Sequence, residues 1–199
     1  MTAPEHPGVR TARAAAVLLS PALVWAVVLV LAPFAPPGAE HPLAWGLGAA
    51  LLVCAVPWAV LAWLGRRGDL RRRTGRPGLA PLAVGSAALM YGTLRIIRAW
   101  HGPLTLAAVL FAIFAGYAAV VLARRRLPLH WPAVTWGGAA AVLPLLLGLP
   151  GLLALPLPAA GIWAAAVLRR GTAAALAGSV LAGGAVCGGT CVLLLQAVR

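Results

Sequence analysis

Apolar stretches long enough to cross a membrane follow one another along this chain with little polar sequence between them. A helix needs about 17 to 25 consecutive apolar residues to cross roughly 30 Å of hydrocarbon. Windows of that kind fall at residues 14–34, 43–65, 79–98, 104–123, 132–148, 152–168 and 173–196. A lipid-exposed segment of this length must satisfy its own backbone polar groups, and a helix does so. The expected fold class is therefore all-α, a polytopic transmembrane helix bundle of six or seven spans. The count turns on 132–148 and 152–168, which Leu149-Pro150-Gly151 joins with almost no loop. Only 10% of the residues are charged, where a soluble domain uses about a quarter, and the mean hydropathy is +0.96. The longest polar stretch, residues 66–77, is too short to enclose a core of its own. Residues 1–199 are expected to form a single integral membrane domain, with residues 1–13 as a short basic cytoplasmic tail. The first window is too long for the apolar part of a cleavable signal peptide and leads directly into further spans.

The arginines give an independent reading of the same segmentation, because cytoplasmic loops collect basic residues. With a cytoplasmic N-terminus, Arg10, Arg13, Arg66, Arg67, Arg71, Arg72, Arg73, Arg76, Arg124, Arg125, Arg126, Arg169 and Arg170 fall inside. Only Arg95, Arg98 and Arg199 fall outside. On this reading the formal net charge of +13 is a topology signal. Nucleic acid is not an expected partner, because the arginines lie in short loops against the bilayer and no aromatic-interleaved basic surface extends beyond it.

The charges that are missing exclude several mechanisms. All 16 basic residues are arginine and the only carboxylates are Glu5, Glu40 and Asp69. Without lysine there is no retinal Schiff base. Ion-coupled transport usually runs on intramembrane carboxylates, and no window contains one. Magnesium-dependent prenyl and CDP-alcohol transfer needs clustered aspartates, since a hard cation takes several charged oxygen ligands. Cys54, Cys187 and Cys191 lie in apolar runs and read as small buried hydrophobes. No metal and no cofactor is expected.

Trp45, Trp63, Trp100 and Trp131 stand near window ends, where an indole keeps its N–H wet and its ring in lipid. Trp25, Trp58, Trp136 and Trp163 read as packing residues. The last window carries Gly178, Gly183, Gly184, Gly188 and Gly189. Gly184 and Gly188 stand in the spacing that lets another helix approach closely, within this chain or as a homo-oligomer through the last span.

Three basic stretches meet on the expected cytoplasmic rim: Gly68 to Pro77, Arg124 to Pro132 and Leu168 to Thr172. Arginine pairs phosphate oxygens bidentately and stays charged. Beside His130, at a bilayer surface, such a group would take the phosphate of a membrane lipid, anionic or phosphorylated. Arginines that merely mark the inside of the membrane explain the same pattern.

From about Gly68 to Gly184 the chain resembles a divergent member of the type-2 phosphatidic acid phosphatase superfamily, membrane phosphatases of lipid phosphates and isoprenoid diphosphates. Arg71-Arg72-Arg73-Thr74-Gly75-Arg76-Pro77 is similar to the family's first motif, a basic run ending in Arg-Pro. Arg126-Leu127-Pro128-Leu129-His130 resembles a divergent form of its second, with arginine for lysine. Gly161 to Thr172 falls in the place of its third, with Arg170 and Thr172 matching in kind. The resemblance implies phosphate binding by Arg73, Arg76, Arg126 and Arg170, and His130 as the acid that protonates the leaving group. Where the family has its nucleophilic histidine, the aspartate that orients it and a phosphate-clamping arginine, this chain has Gly171, Ala175 and Ala165. A general acid without a nucleophile forms no phosphohistidine.

Three readings stay open. One is a fold of this kind that binds a lipid phosphate at the cytoplasmic face and dephosphorylates it with a replacement nucleophile such as water. The second is a non-catalytic membrane protein of the same fold, binding lipid head groups or a partner membrane protein. The third, a small channel or uniporter subunit, needs a polar path, and the windows offer little beyond Ser20, Ser86, Thr93, Thr105, Thr135, Ser179, Thr190 and Gln196. The heavy use of Ala, Leu and Arg points to a high-GC bacterial genome, and hence to a multi-pass protein of the bacterial cytoplasmic membrane.

Overall fold

Proline and glycine set where the helices begin and stop. The computed structural model describes residues 7–36, 38–57, 59, 79–123 and 129–197, and all regular structure among them is helical. The helices are α1 (Pro7–Leu18), α2 (Pro21–Leu31), α3 (Pro42–Ala55), α4 (Leu79–Ala99), α5 (Leu104–Ala123), α6 (Trp131–Leu147), α7 (Leu157–Val167) and α8 (Ala173–Ala197). Helices α2, α3 and α6 each carry proline in their first two positions, where a missing N–H costs no intrahelical bond.

Helix therefore occupies each of the seven apolar windows within the described residues. Three stretches are long and apolar enough to cross a membrane: Leu104–Ala123, Leu149–Val167 and Ala173–Ala197. The pair α1 and α2 makes a fourth if it counts as one span, although it is bent by 48°. Helix α3 and helix α6 are apolar but shorter. By length and composition these are the helices of a membrane protein, and they amount to three or four candidate spans.

The first window, expected as one helix over 14–34, is two. Ser20 is extended, with φ −63° and ψ 145°, because a following proline disfavours helical backbone in the residue before it. The helix also starts earlier than the window, so Arg10 and Arg13 lie on α1. The sixth window differs as well: Gly148, at φ 65°, ends α6. A 3-10 segment, Leu149–Ala154, then precedes α7.

Helix α6 lies at the centre, packed by α2, α5, α7 and α8. Its small residues allow this, because backbones approach closely only where no side chain intervenes. A Cβ on Gly137 would strike the Val180 carbonyl of α8, and one on Gly138 would lie 2.9 Å from Cys187 Sγ. Helix α8 answers with its own glycines: a Cβ on Gly183 would strike the Val134 carbonyl, and one on Gly188 would lie 3.1 Å from Ala141 Cβ. A π-helical segment, Gly184–Gly188, interrupts α8 at this contact. Gly178 and Gly189 face open space. Cys187 and Cys191 are fully buried and unpaired, as small hydrophobes.

The hydroxyls of Thr93, Thr135, Ser179 and Thr190 each donate to a carbonyl one turn earlier on the same helix, at 2.7 to 3.2 Å. Such back-bonding satisfies a hydroxyl inside its own helix. Each of the four hydroxyl protons is thus spent within its own helix.

Candidate functional site

Two helix starts and one helix end converge around His130. The imidazole belongs to the residue that caps α6, whose extended backbone (φ −94°, ψ 110°) leads into Trp131 and Pro132. Trp131 is held edge-on against Tyr117 of α5, with ring centroids 5.3 Å apart and planes at 88°. The His130 backbone N–H donates to Ser179 Oγ at 3.0 Å, and Ser179 Oγ donates in turn to the Ala175 carbonyl at 2.7 Å. Ser179 is fully buried, so the first turns of α8 fix where the His130 backbone stands.

The turn between α7 and α8 brings Arg170 to the same place. Arg169 adopts left-handed backbone, φ 53°. Its N–H donates to the Ala166 carbonyl at 3.0 Å, and that of Arg170 donates to the Ala165 carbonyl at 2.8 Å. This paired arrangement satisfies the last carbonyls of a helix and usually employs glycine at the left-handed position. Thr172 then opens α8, its Oγ1 accepting the Ala175 N–H at 3.3 Å.

His130 and Arg170 line one cavity of about 180 Å³. Its other walls are Ser20 and Pro21 from the break between α1 and α2, Trp136 of α6, and Gly161, Ala164 and Ala165 of α7. Gly171 faces the imidazole: a Cβ there would stand 3.6 Å from His130 Nε2. Small-molecule sites usually enclose about 300–1,000 Å³, so this cavity suits a head-group fragment rather than a whole lipid. A histidine and an arginine are among its lining residues, and no carboxylate-bearing residue lines it among the described residues. The N-termini of α6 and α8, the positive ends of their dipoles, lie on the same side.

Of the residues expected to hold phosphate, Arg170 stands with His130, while Arg73, Arg76 and Arg126 lie outside the described residues. Ala165 lines the cavity and Gly171 meets the imidazole; Ala175 contributes its backbone, the N–H to Thr172 Oγ1 and the carbonyl to Ser179. Three or more metal-ligating side chains do not gather anywhere among the described residues. Sequence reasoning missed two parts of the site. Ser179 read only as a scarce polar residue in an apolar span, and Trp136 only as packing. Ser20-Pro21 was the available signal for the third wall.

The fold and site thus define an all-helical protein with three or four candidate membrane spans and a cavity lined by His130 and Arg170 at one end of its bundle. No family model matches the sequence, and no curated protein or solved structure matches it.

Proposed function

We propose that this is a multi-pass protein of the bacterial cytoplasmic membrane, with six or seven spans and a cytoplasmic N-terminus, that binds a lipid phosphate in the His130–Arg170 cavity. Helix in each apolar window and the alternation of arginines along the sequence support the topology. The observation that carries the function is the meeting of two separated residues, His130 and Arg170, in one cavity without a carboxylate among the described residues. Arg170 supplies a permanent charge and paired N–H donors, and His130 a further donor at short range. Arg73, Arg76 and Arg126 are proposed to complete the phosphate shell.

Gly171 separates binding from catalysis. A glycine supplies no nucleophile, and its missing Cβ points at the His130 imidazole, so the covalent phosphohistidine route is closed at this position. Binding is the proposed role; turnover would need water as the nucleophile, with His130 giving its proton to the leaving oxygen.

The test is the affinity of nanodisc-reconstituted protein for phosphatidic acid and polyprenyl phosphate against phosphatidylcholine, with His130→Ala and Arg170→Ala alongside. Loss of a charge-assisted bond of about 1.5–3 kcal/mol is expected to weaken phosphate-lipid binding by about ten-fold or more in Arg170→Ala. Phosphate release that both substitutions abolish would add hydrolysis to binding. Affinity unchanged by both would remove the site.

A further inference from the structure

A second cavity lies at the other end of the bundle. Helix α5 separates the two: His101 and Pro103 precede its first turn and His130 follows its last, and its 20 residues span about 30 Å. This cavity encloses about 710 Å³, within the usual range of about 300–1,000 Å³ for small-molecule sites. Its walls are the α2–α3 connection with the first half of α3, and the end of α4 with the α4–α5 connection.

Both connections hold left-handed backbone, at Gly38 (φ 77°) and at His101 (φ 51°). Left-handed backbone at a non-glycine residue costs energy that the surroundings must offset. At His101 the conformation closes α4, and the Gly102 N–H donates to the Ile97 carbonyl at 2.7 Å. The result presses Gly102 against Trp45, where a Cβ would lie 2.8 Å from the indole ring. The wall carrying Trp45 is thus fixed by a contact that only glycine allows.

Charge decides what such a cavity accepts. The chain has 16 arginines against 3 carboxylates, and α4 itself carries Arg95 and Arg98. Among the described residues no guanidinium lines this cavity; its titratable lining residues are Glu40, His41 and His101, and Trp45 and Trp100 line it too. Glu40 has no ion pair or hydrogen bond among the described residues. A carboxylate without such a partner, lining one cavity with two indole side chains, favours a cation, drawn by the charge and by the negative faces of the rings. Ile96, 44% exposed, and the half-buried Leu52 line the same cavity and give it an apolar side suited to methylene groups. The N-terminus of α3, after His41, tolerates a phosphate on the same head group.

We propose that this cavity binds the ammonium head group of an amphiphile, with Glu40, Trp45 and Trp100 holding the cation and Leu52 and Ile96 meeting its chain. The occupant is an amine-bearing lipid or a soluble amine with an apolar tail, and the ammonium is common to both.

The test is native mass spectrometry of the detergent-solubilised protein titrated with phosphatidylethanolamine and, separately, phosphatidylglycerol. The wild type is expected to bind the ethanolamine lipid about ten-fold more tightly, and Glu40→Gln to abolish that preference. Trp100 is 76% exposed, so Trp100→Ala leaves the fold intact and is expected to lower the preference several-fold. Displacement of the lipid by hexyltrimethylammonium assigns the site to soluble amines, and resistance to it assigns the site to lipid. Equal affinity for the two lipids in the wild type, or a preference that survives in Glu40→Gln, overturns the proposal.

Discussion

The indole N–H of Trp136 donates to the Leu19 carbonyl at 2.7 Å, joining residues 117 positions apart. The break between α1 and α2 creates that acceptor. Pro21 has no N–H, Ser20 leaves the helical conformation, and the Leu19 carbonyl turns to Trp136 instead of to its own helix. The bond closes one wall of the His130 cavity, which Leu19, Ser20, Pro21 and Trp136 all line.

Replacing Trp136 with Phe keeps an aromatic ring, trims the bicycle and removes the donor. Trp136 is 5% exposed and the Leu19 carbonyl it serves is part-buried, so losing the bond and the indole's second ring is expected to cost about 1–3 kcal/mol. Thermal unfolding in detergent micelles should show a loss of that size. An unchanged midpoint would mean that the Leu19 carbonyl finds another donor.

Glycine substitutions should separate by face. A Cβ on Gly161 would run into the Trp136 ring, so Gly161→Ala is expected to cost about 1–3 kcal/mol. Gly178 has nothing within 4 Å of where a Cβ would stand, and Gly178→Ala should be neutral or stabilising by up to about 1 kcal/mol, as is usual within a helix. The same unfolding measurement reads both, and equal effects would contradict the described packing of α6 against α7.

Ser179 positions His130 through the backbone. Ser179→Ala removes the acceptor of the His130 N–H, and phosphatidic acid affinity in nanodiscs is expected to fall about three- to ten-fold, that is by roughly 1 kcal/mol. Gly178→Ala, its neighbour on the open face, should leave the affinity alone. Affinity indifferent to the loss of the hydroxyl would show that this bond is structural only.

Arg169 carries left-handed backbone that glycine adopts freely. Arg169→Gly is expected to raise stability by about 1 kcal/mol. Arg169 does not line the cavity among the described residues, so lipid-phosphate affinity should stay within two-fold of the wild type, a ratio worth about 0.4 kcal/mol. A drop in the unfolding midpoint would point to an interaction of the guanidinium that outweighs the backbone gain.

Sequence alone determined that the chain is helical and where most of its apolar helices lie. Apolar length is a local property, and the windows at 79–98, 104–123, 132–148 and 173–196 end within a residue or two of the helices found. Ser20-Pro21, inside the first window, marked a break that length alone concealed. Sequence also picked out His130, Arg170 and Gly171 as residues to watch. Tertiary structure alone decided that the three meet, because the turn holding Arg170 and Gly171 follows His130 by two further helices. The same holds for Ser179 and for Trp136, whose polar partners lie 49 and 117 residues away. It also settled that Gly183, Gly184 and Gly188 turn toward α6 while Gly178 does not. Hydrophobicity fixes which residues leave water, but it is nearly uniform around α2, α3 and α5 to α8. Which face meets which neighbour is then decided by backbone approach and by a few buried hydrogen bonds.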